Sequence, residues 1–291
     1  MIVSGVDLHI HSTASDGRLS PEEIIRKSAA AGLTIIALAD HDTVDGITPA
    51  LEVARAFPGL KVIPAIEMST DVPGADVHIL GYFIDYTSQE LRARLERMRN
   101  SRQERAQGII AKLRSLGINI EWQQVQEIAG SGSIGRPHIA QAMVDKGYVA
   151  SVSEAFTKYL GFGGPAFIEW ERMTPAKAVE LILRVNGLPV LAHPLTVNHS
   201  EALVIKLKAV GLVGIEAYYN GYTADQVSWL VGLARRHNLI VTGGSDYHGL
   251  DPNTETIIGG NDVPIEAAER LIALAEQRAL KLVNPHHLNI S

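Results

Sequence analysis

The sequence contains no cysteine, so it forms neither a disulfide nor a thiolate metal site, and any metal it holds must sit on nitrogen and oxygen donors. It has no run approaching the roughly 18 apolar residues of a membrane span, and its N-terminal MIVSGVDLHIHS lacks both a basic n-region and a long apolar stretch. A cytoplasmic location without membrane association is the expectation. Excess positive charge is missing too. The formal net charge of -6 gives no global attraction to nucleic acid or anionic lipid, which leaves any phosphate recognition to local cations or bound metal. No internal repeat or low-complexity linker is visible. What is present is an ordinary globular composition, 46% hydrophobic and 20% charged over 291 residues, long enough for one α/β barrel or a barrel carrying an insertion.

Short β-branched runs alternate with amphipathic stretches. VDLHI at 6–10, TIIALAD at 34–40, KVIPAIE at 61–67 and VHILGY at 77–82 read as strands, and a second series follows with LPVLAHP at 188–194, LVGIEAY at 212–218 and LIVTGGSD at 239–246. Between the first two, Ser20 is placed to cap a helix, Pro21 suits its first position and Gly32 ends it. Strands alternating with helices imply a parallel sheet. From 88 to 182 the alternation stops and the sequence reads as helices. Residues 88–182 are therefore expected to be a helical insertion covering the active site of a barrel built from 1–87 and 183–291.

The chemistry-bearing residues cluster at strand ends. In DLHIHSTASDG, His9 and His11 stand two apart at the end of an apolar run, a spacing that puts both on one face of a strand, and Asp16 follows in the loop. Such a pair alone is as consistent with hydrogen-bonded structural histidines as with metal ligands. Recurrence decides: ADHDTVDG carries His41, AIEMS Glu67, DVHILGY His78, LAHP His193, and GGSDYHG both Asp246 and His248. Barrel enzymes build their sites at the C-terminal ends of strands. This donor set exceeds the roughly three protein ligands of one catalytic zinc, so two or three ions are expected. Imidazole with carboxylate favours manganese, iron or zinc, whereas magnesium prefers oxygen donors.

These motifs, DLHIHSTASDG, ALADHDTVDG, Glu67, His78, AHP and SDYHG, resemble in order those of the PHP (polymerase and histidinol phosphatase) family of metal-dependent phosphoesterases. The resemblance implies an α/β fold, a distorted (β/α)7 TIM-like barrel with a helical insertion. It further implies three divalent metal ions per chain, manganese first, with zinc, iron or magnesium as alternatives. By the same resemblance His9, His11, Glu67 and Asp246 would hold one ion, Glu67 with His78 and His193 a second, and Asp16, His41 and His248 a third. Glu67, Asp246 and His248 would be the catalytic residues, acting with a metal-bridging hydroxide that attacks phosphorus. An amidohydrolase would share barrel and metals but usually brings a metal-bridging lysine, and no strand-end lysine is present.

Two features of the insertion suit a second anionic group. Arg92, Arg99, Arg102 and Arg105 form a local cationic excess, the last three spaced to lie on adjacent positions of one helix face. In SGSIGRPHIAQAM, glycines precede Pro137 at a first helical position, with Arg136 and His138 flanking the helix N-terminus; the lysine and following Ser or Thr of a Walker A loop are absent. A solvated charged face and an ordinary loop-to-helix junction are the alternatives to an anion site. GRPH resembles the PHP branch of 3′,5′-nucleoside bisphosphate phosphatases and 5′-3′ exoribonucleases. Arg99, Arg102, Arg136 and His138 are thus expected to bind substrate, a 3′,5′-bisphosphonucleoside with short RNA as a second substrate, and no protein partner is expected. The alternatives are a histidinol-phosphate phosphatase and a noncatalytic metal-stabilised PHP module. Glu216 reads as support for ligands, His199, His237, His286 and His287 as surface residues, and Trp122, Trp170 and Trp229 as packing elements.

Overall fold

The computed structural model describes residues 5–72, 75–130, 134–168, 173–249 and 257–283, and for residues 102 and 280–283 the backbone alone. Seven strands, β1 (Val6–Ile10), β2 (Ile35–Leu38), β3 (Lys61–Val72), β4 (Ala75–Tyr82), β5 (Leu188–Leu191), β6 (Gly214–Tyr219) and β7 (Ile240–Gly244), lie in sequence order in one sheet. The sheet closes into a barrel beyond the ends of β1 and β7, where the Asp246 N–H donates to the His9 carbonyl at 2.8 Å and the His11 N–H to the Tyr247 carbonyl at 3.0 Å. The helices are α1 (Pro21–Ala30), α2 (Ile47–Ala54), α3 (Gln89–Ser115), α4 (Trp122–Ala129), α5 (Arg136–Asp145), α6 (Val152–Ala155), α7 (Pro175–Arg184), α8 (Ser200–Ala209), α9 (Ala224–Arg236) and α10 (Ile265–Val283).

Local chemistry accounts for the first βα unit. Ser20 accepts from the Glu23 N–H while the Glu23 carboxylate takes the Ser20 N–H at 2.8 Å, a capping box worth about 1 kcal/mol, with Pro21 preset for the helix and Gly32 at φ 80 just beyond it. Ile24 and Ile25 are fully buried against Ile10, Ile36 and Leu38, about 1.5–3 kcal/mol for each side chain, and this fixes α1 on the outside of the sheet.

Inside the barrel the period of two rules. Ile35, Ala37 and Ala39, then Ile63 and Ala65, Leu80 and Tyr82, and Leu188, Val190 and Ala192 form one buried cluster. Continuing the same parity brings Glu67 and His78 to the interior. β1 departs from it: Val6 and Leu8 belong to the interior cluster but Ile10 packs under α1, and the pairing with β2 shifts register between Asp7 and Ile10. That irregularity lets His9 and His11 both face inward, above Leu8.

The sheet is not wholly parallel. β4 runs antiparallel to both β3 and β5, against the expectation drawn from the strand–helix alternation. Two residues, Pro73 and Gly74, separate β3 from β4, far fewer than the dozen or so a parallel crossover needs. The Pro-Gly pair was the available signal.

The chain divides into two compact units, Met1–Leu91 with Met173–Ser291, and Arg92–Arg172. The second has its own apolar core around Ile109, Leu113, Ile120, Ile139 and Met143. α7, assigned by the sequence mostly to the insertion, packs instead on β3, β4 and β5 through Ala178, Val179, Leu181 and Ile182.

Candidate metal centre

Glu67 is the hub. It has no solvent exposure, and five imidazoles surround its two oxygens: His78 Nδ1 at 3.0 Å and His193 Nε2 at 3.1 Å from Oε1, His9 Nε2 and His11 Nε2 at 3.2 Å and His41 Nδ1 at 3.1 Å from Oε2. Asp246 Oδ1 lies 3.3 Å from His9 Nε2 and 3.0 Å from His11 Nε2. Asp16 faces His11 Nδ1 at 3.6 Å, His41 Nε2 at 3.8 Å and His248 Nε2 at 3.4 Å. Three donor sets result, each with its atoms within 4.8 Å of one another: His9, His11, Glu67 and Asp246; His41, Glu67 and His78; and His11, Asp16, His41 and His248. His193 adjoins the second, its Nε2 3.2 Å from His78 Nδ1.

The backbone is held in uncommon conformations to achieve this. His193 and Asp246 have φ of 26° and 52°, a region that side chains other than glycine rarely occupy. Each is pinned: the His193 N–H donates to Glu216 Oε2 at 2.8 Å, and the Asp246 N–H to the His9 carbonyl. β7 approaches β1 so closely that a Cβ on Gly244 would collide with the His9 backbone nitrogen and Cβ.

Tautomers follow from the outer partners. His9 Nδ1 lies 2.9 Å from the buried Glu216 carboxylate, His248 Nδ1 2.8 Å from the Asp246 carbonyl, and His193 Nδ1 3.3 Å from Thr196 Oγ1, whose own hydroxyl donates to the His193 carbonyl. Each Nδ1 therefore carries a proton, and each Nε2 is turned toward the centre, able to offer its lone pair once unprotonated. Tyr219 donates its hydroxyl to Asp246 Oδ2 at 2.8 Å, leaving Oδ1 to face the imidazoles.

Buried atoms test whether cations fit. His9 Nε2, both ring nitrogens of His11, His41 Nδ1, Glu67 Oε2 and Asp246 Oδ1 are shielded from solvent and make no hydrogen bond of acceptable geometry among the described residues. Each unsatisfied buried polar atom costs about 1–3 kcal/mol. Divalent ions on imidazole and carboxylate donors remove that cost, and the donor chemistry suits them.

Without metal, protons take part of that role. Although burial pushes His9 and His11 down, the carboxylates of Asp246, Glu216 and Glu67 hold His9 well above the ordinary imidazole range, and Asp246 and Glu67 lift His11 to about 10. Burial, with the neighbouring imidazoles, outweighs the carboxylates of Glu67 and Asp16 at His41, which falls to about 4. Against the cost of burial, the surrounding imidazoles hold Asp16, Glu67 and Asp246 well below the usual carboxylate range.

Three buried carboxylates, Asp7, Asp40 and Asp42, went unread in the sequence. Asp40 accepts the Ser12 N–H at 2.7 Å and the hydroxyls of Ser12 and Ser15 at 2.8 and 2.6 Å, which shapes the loop carrying Asp16. Asp7 accepts the Ser245 N–H at 2.9 Å and the Gly259 N–H at 2.8 Å, which fixes the chain beside Asp246. Asp40 and Asp42 flank His41 and Asp7 stands two residues before His9, the signal that could have found them.

The expected substrate contacts belong to the second unit. Arg99 is exposed on α3, the side chain of Arg102 lies outside the described residues, and Arg105 donates to the Ile168 carbonyl at 3.0 Å. Arg136 donates to the Leu160 carbonyl at 3.3 Å and lies over the Phe156 ring, while His138 Nδ1 accepts the Gly135 N–H at 3.0 Å and so occupies one donor of the α5 N-terminus. His286, His287 and Trp170 lie outside the described residues. His199 is exposed and His237 half-buried. Trp122 packs in the core of the second unit, but Trp229 is exposed rather than a packing element, because α9 buries the face of Leu230, Leu233 and Ala234. No helix among the described residues is long and apolar enough to cross a membrane.

The geometry has counterparts in known proteins. The sequence profile of the PHP domain matches residues 7–161. A 5′-3′ exoribonuclease of Haemophilus influenzae is 37% identical over 246 residues, which cover 83% of this chain and 89% of that one. A 3′,5′-nucleoside bisphosphate phosphatase of Chromobacterium violaceum is 32% identical over 272 residues, 90% and 93% of the two chains. The solved structure of a Bifidobacterium adolescentis protein assigned as a metal-dependent phosphoesterase superposes with a TM-score of 0.78 at 27% identity, over 93% of this chain and 96% of that one.

Proposed function

This chain belongs to the PHP family, and on that premise we propose that it is a metal-dependent phosphatase acting on 3′,5′-bisphosphonucleosides, with 5′-3′ trimming of short RNA as a second activity. The observation that carries the reading is the convergence of unsatisfied buried donor atoms around Glu67. We assign His9, His11, Asp16, His41, Glu67, His78, His193, Asp246 and His248 as the ligands of three divalent ions, manganese first among them for an imidazole and carboxylate set. Bound there, the ions would supply a nucleophile ionised near neutral pH and neutralise charge on the phosphoryl oxygens.

The chain's own groups prepare that chemistry. Glu67 is common to two of the three donor sets and would serve as a ligand in both. Glu216, Thr196 and the Asp246 carbonyl orient the rings of His9, His193 and His248 before substrate arrives. Asp246 keeps Oδ1 toward the centre because Tyr219 holds Oδ2, and His248 presents Nε2 beside Asp16. Glu67, Asp246 and His248 are the catalytic residues of this reading. Arg99, Arg102, Arg136 and His138 remain the proposed contacts of a second phosphate, on their charge and hydrogen-bonding chemistry, and a cytoplasmic location belongs to the same proposal.

The test is phosphate release from a 3′,5′-bisphosphonucleoside, a 5′-mononucleotide, histidinol phosphate and a 5′-phosphorylated RNA, with manganese and after chelation. Manganese-dependent release favouring the nucleotides is the expected result. Preference for histidinol phosphate would move the substrate assignment, and no release from any of the four would point to a noncatalytic module.

A further inference from the structure

A cavity of about 570 Å³ opens in the first unit at the end of β6, against α9 and the segment before α10, with Tyr218, Tyr219, Tyr222, Val227, Ser228 and Asn261 in its wall. Its size is within the roughly 300–1,000 Å³ of small-molecule sites. It adjoins the metal centre through one residue. Tyr219 lines the cavity, places its hydroxyl 2.8 Å from Asp246 Oδ2 and holds its ring 5.3 Å from that of His193 and 5.1 Å from that of Tyr222.

The lining chemistry selects the occupant. Among the described residues the wall has no lysine or arginine, and it includes the carboxylate of Asp262, so it disfavours a phosphate group. Aromatic faces with a carboxamide nearby suit a flat, uncharged, polar-edged ring, as a nucleobase is. The rings are also fixed before binding: the Tyr222 hydroxyl accepts the Leu195 N–H at 2.9 Å, and the Asn261 side-chain amide donates to the Gly244 carbonyl. Preset aromatic walls reduce the ordering cost of binding.

We propose that this cavity is the nucleoside subsite, where the base stacks on the tyrosines while the scissile phosphate lies at the metal centre on the other side of the Tyr219 hydroxyl. The inference rests on the nucleotide phosphatase reading above and deepens it. The base contributes binding in the cavity, and the cations of the barrel contribute the reaction.

Ser228, exposed on α9, and Val227, half-buried beside it, allow the cavity to be filled without touching a metal-site residue. Ser228→Trp and, separately, Val227→Phe should raise KM for adenosine 3′,5′-bisphosphate about tenfold, the scale of one lost base stack, with kcat/KM for phenyl phosphate within about twofold of wild type. An unchanged KM for the bisphosphate in both variants, with circular dichroism showing the native fold, would overturn the subsite, as would equal losses on both substrates. If the manganese-loaded wild type hydrolyses neither ester, the phosphatase reading fails and the cavity is judged by calorimetry with adenosine alone. Binding to wild type that is lost in Ser228→Trp then sustains the cavity, and no binding to wild type sinks it.

Discussion

Nδ1 of His9 and Oε1 of Glu216 lie 2.9 Å apart with no solvent exposure at either residue, and the second oxygen of the same carboxylate accepts the N–H of His193. One buried side chain thus orients two proposed ligands from opposite parts of the sequence. Glu216→Gln keeps an acceptor for His193 but removes the charge that holds His9. We expect metal affinity or activity to fall about 10- to 100-fold, the usual cost of an altered ligand-orienting partner. Chelator competition checks this, and unchanged affinity would remove Glu216 from the centre's support.

Glu67→Gln should be more severe. A neutral amide cannot serve adjacent cations as a carboxylate does, and its NH2 would face ring nitrogens already turned inward. Turnover should fall by roughly a thousandfold or more, exceeding the 10²–10³ typical of one lost oxyanion donor. Elemental analysis should show fewer ions per chain than in wild type, whereas full metal content with full activity would exclude a bridging role.

Metal uptake should release protons. In the metal-free protein His9 is held well above its ordinary range and His11 at about 10, after burial has pushed both down, by the carboxylates of Asp246, Glu216 and Glu67. Both rings carry a proton at pH 7, and a ligating nitrogen must lose it. Affinity for manganese should therefore rise with pH from neutrality toward about 10 and flatten above it. Calorimetry in buffers of different ionisation enthalpy measures the protons released; a value of zero at pH 7 would contradict the charge arrangement.

Gly244→Ala should destabilise the barrel where it closes. The added Cβ would meet the backbone of β1 at His9, which cannot move aside as a flexible side-chain end can. About 1–3 kcal/mol of overpacking is expected, together with weakened metal binding. A denaturant melt of the chelated protein separates the first effect from the second.

The sequence alone exposed the donors. Most stand at or just beyond the end of a short apolar run, with Asp16 in a loop and His78 near the start of its run, and the absence of cysteine left only imidazole and carboxylate to consider. Capping chemistry around Ser20, Pro21 and Gly32 is local and could be read directly, because it depends on residues within one turn of one another. Ladder direction was less legible. Periodicity identifies a strand but not the direction of its neighbour, so β4 was assigned to a parallel sheet although Pro73 and Gly74 leave no room for a crossover.

What composition and motif spacing determined was the class of chemistry: nitrogen and oxygen donors, enough of them for more than one cation, on strands of an α/β fold. Tertiary structure alone decided which donors converge and which ring nitrogens face one another. The register shift in β1 turns His9 and His11 together toward the interior, Glu67 gathers imidazoles from separate strand ends, and Glu216 reaches His9 across 207 positions of sequence. Those contacts form only when the barrel closes through the Asp246 and His11 backbone bonds, so no local pattern could encode them.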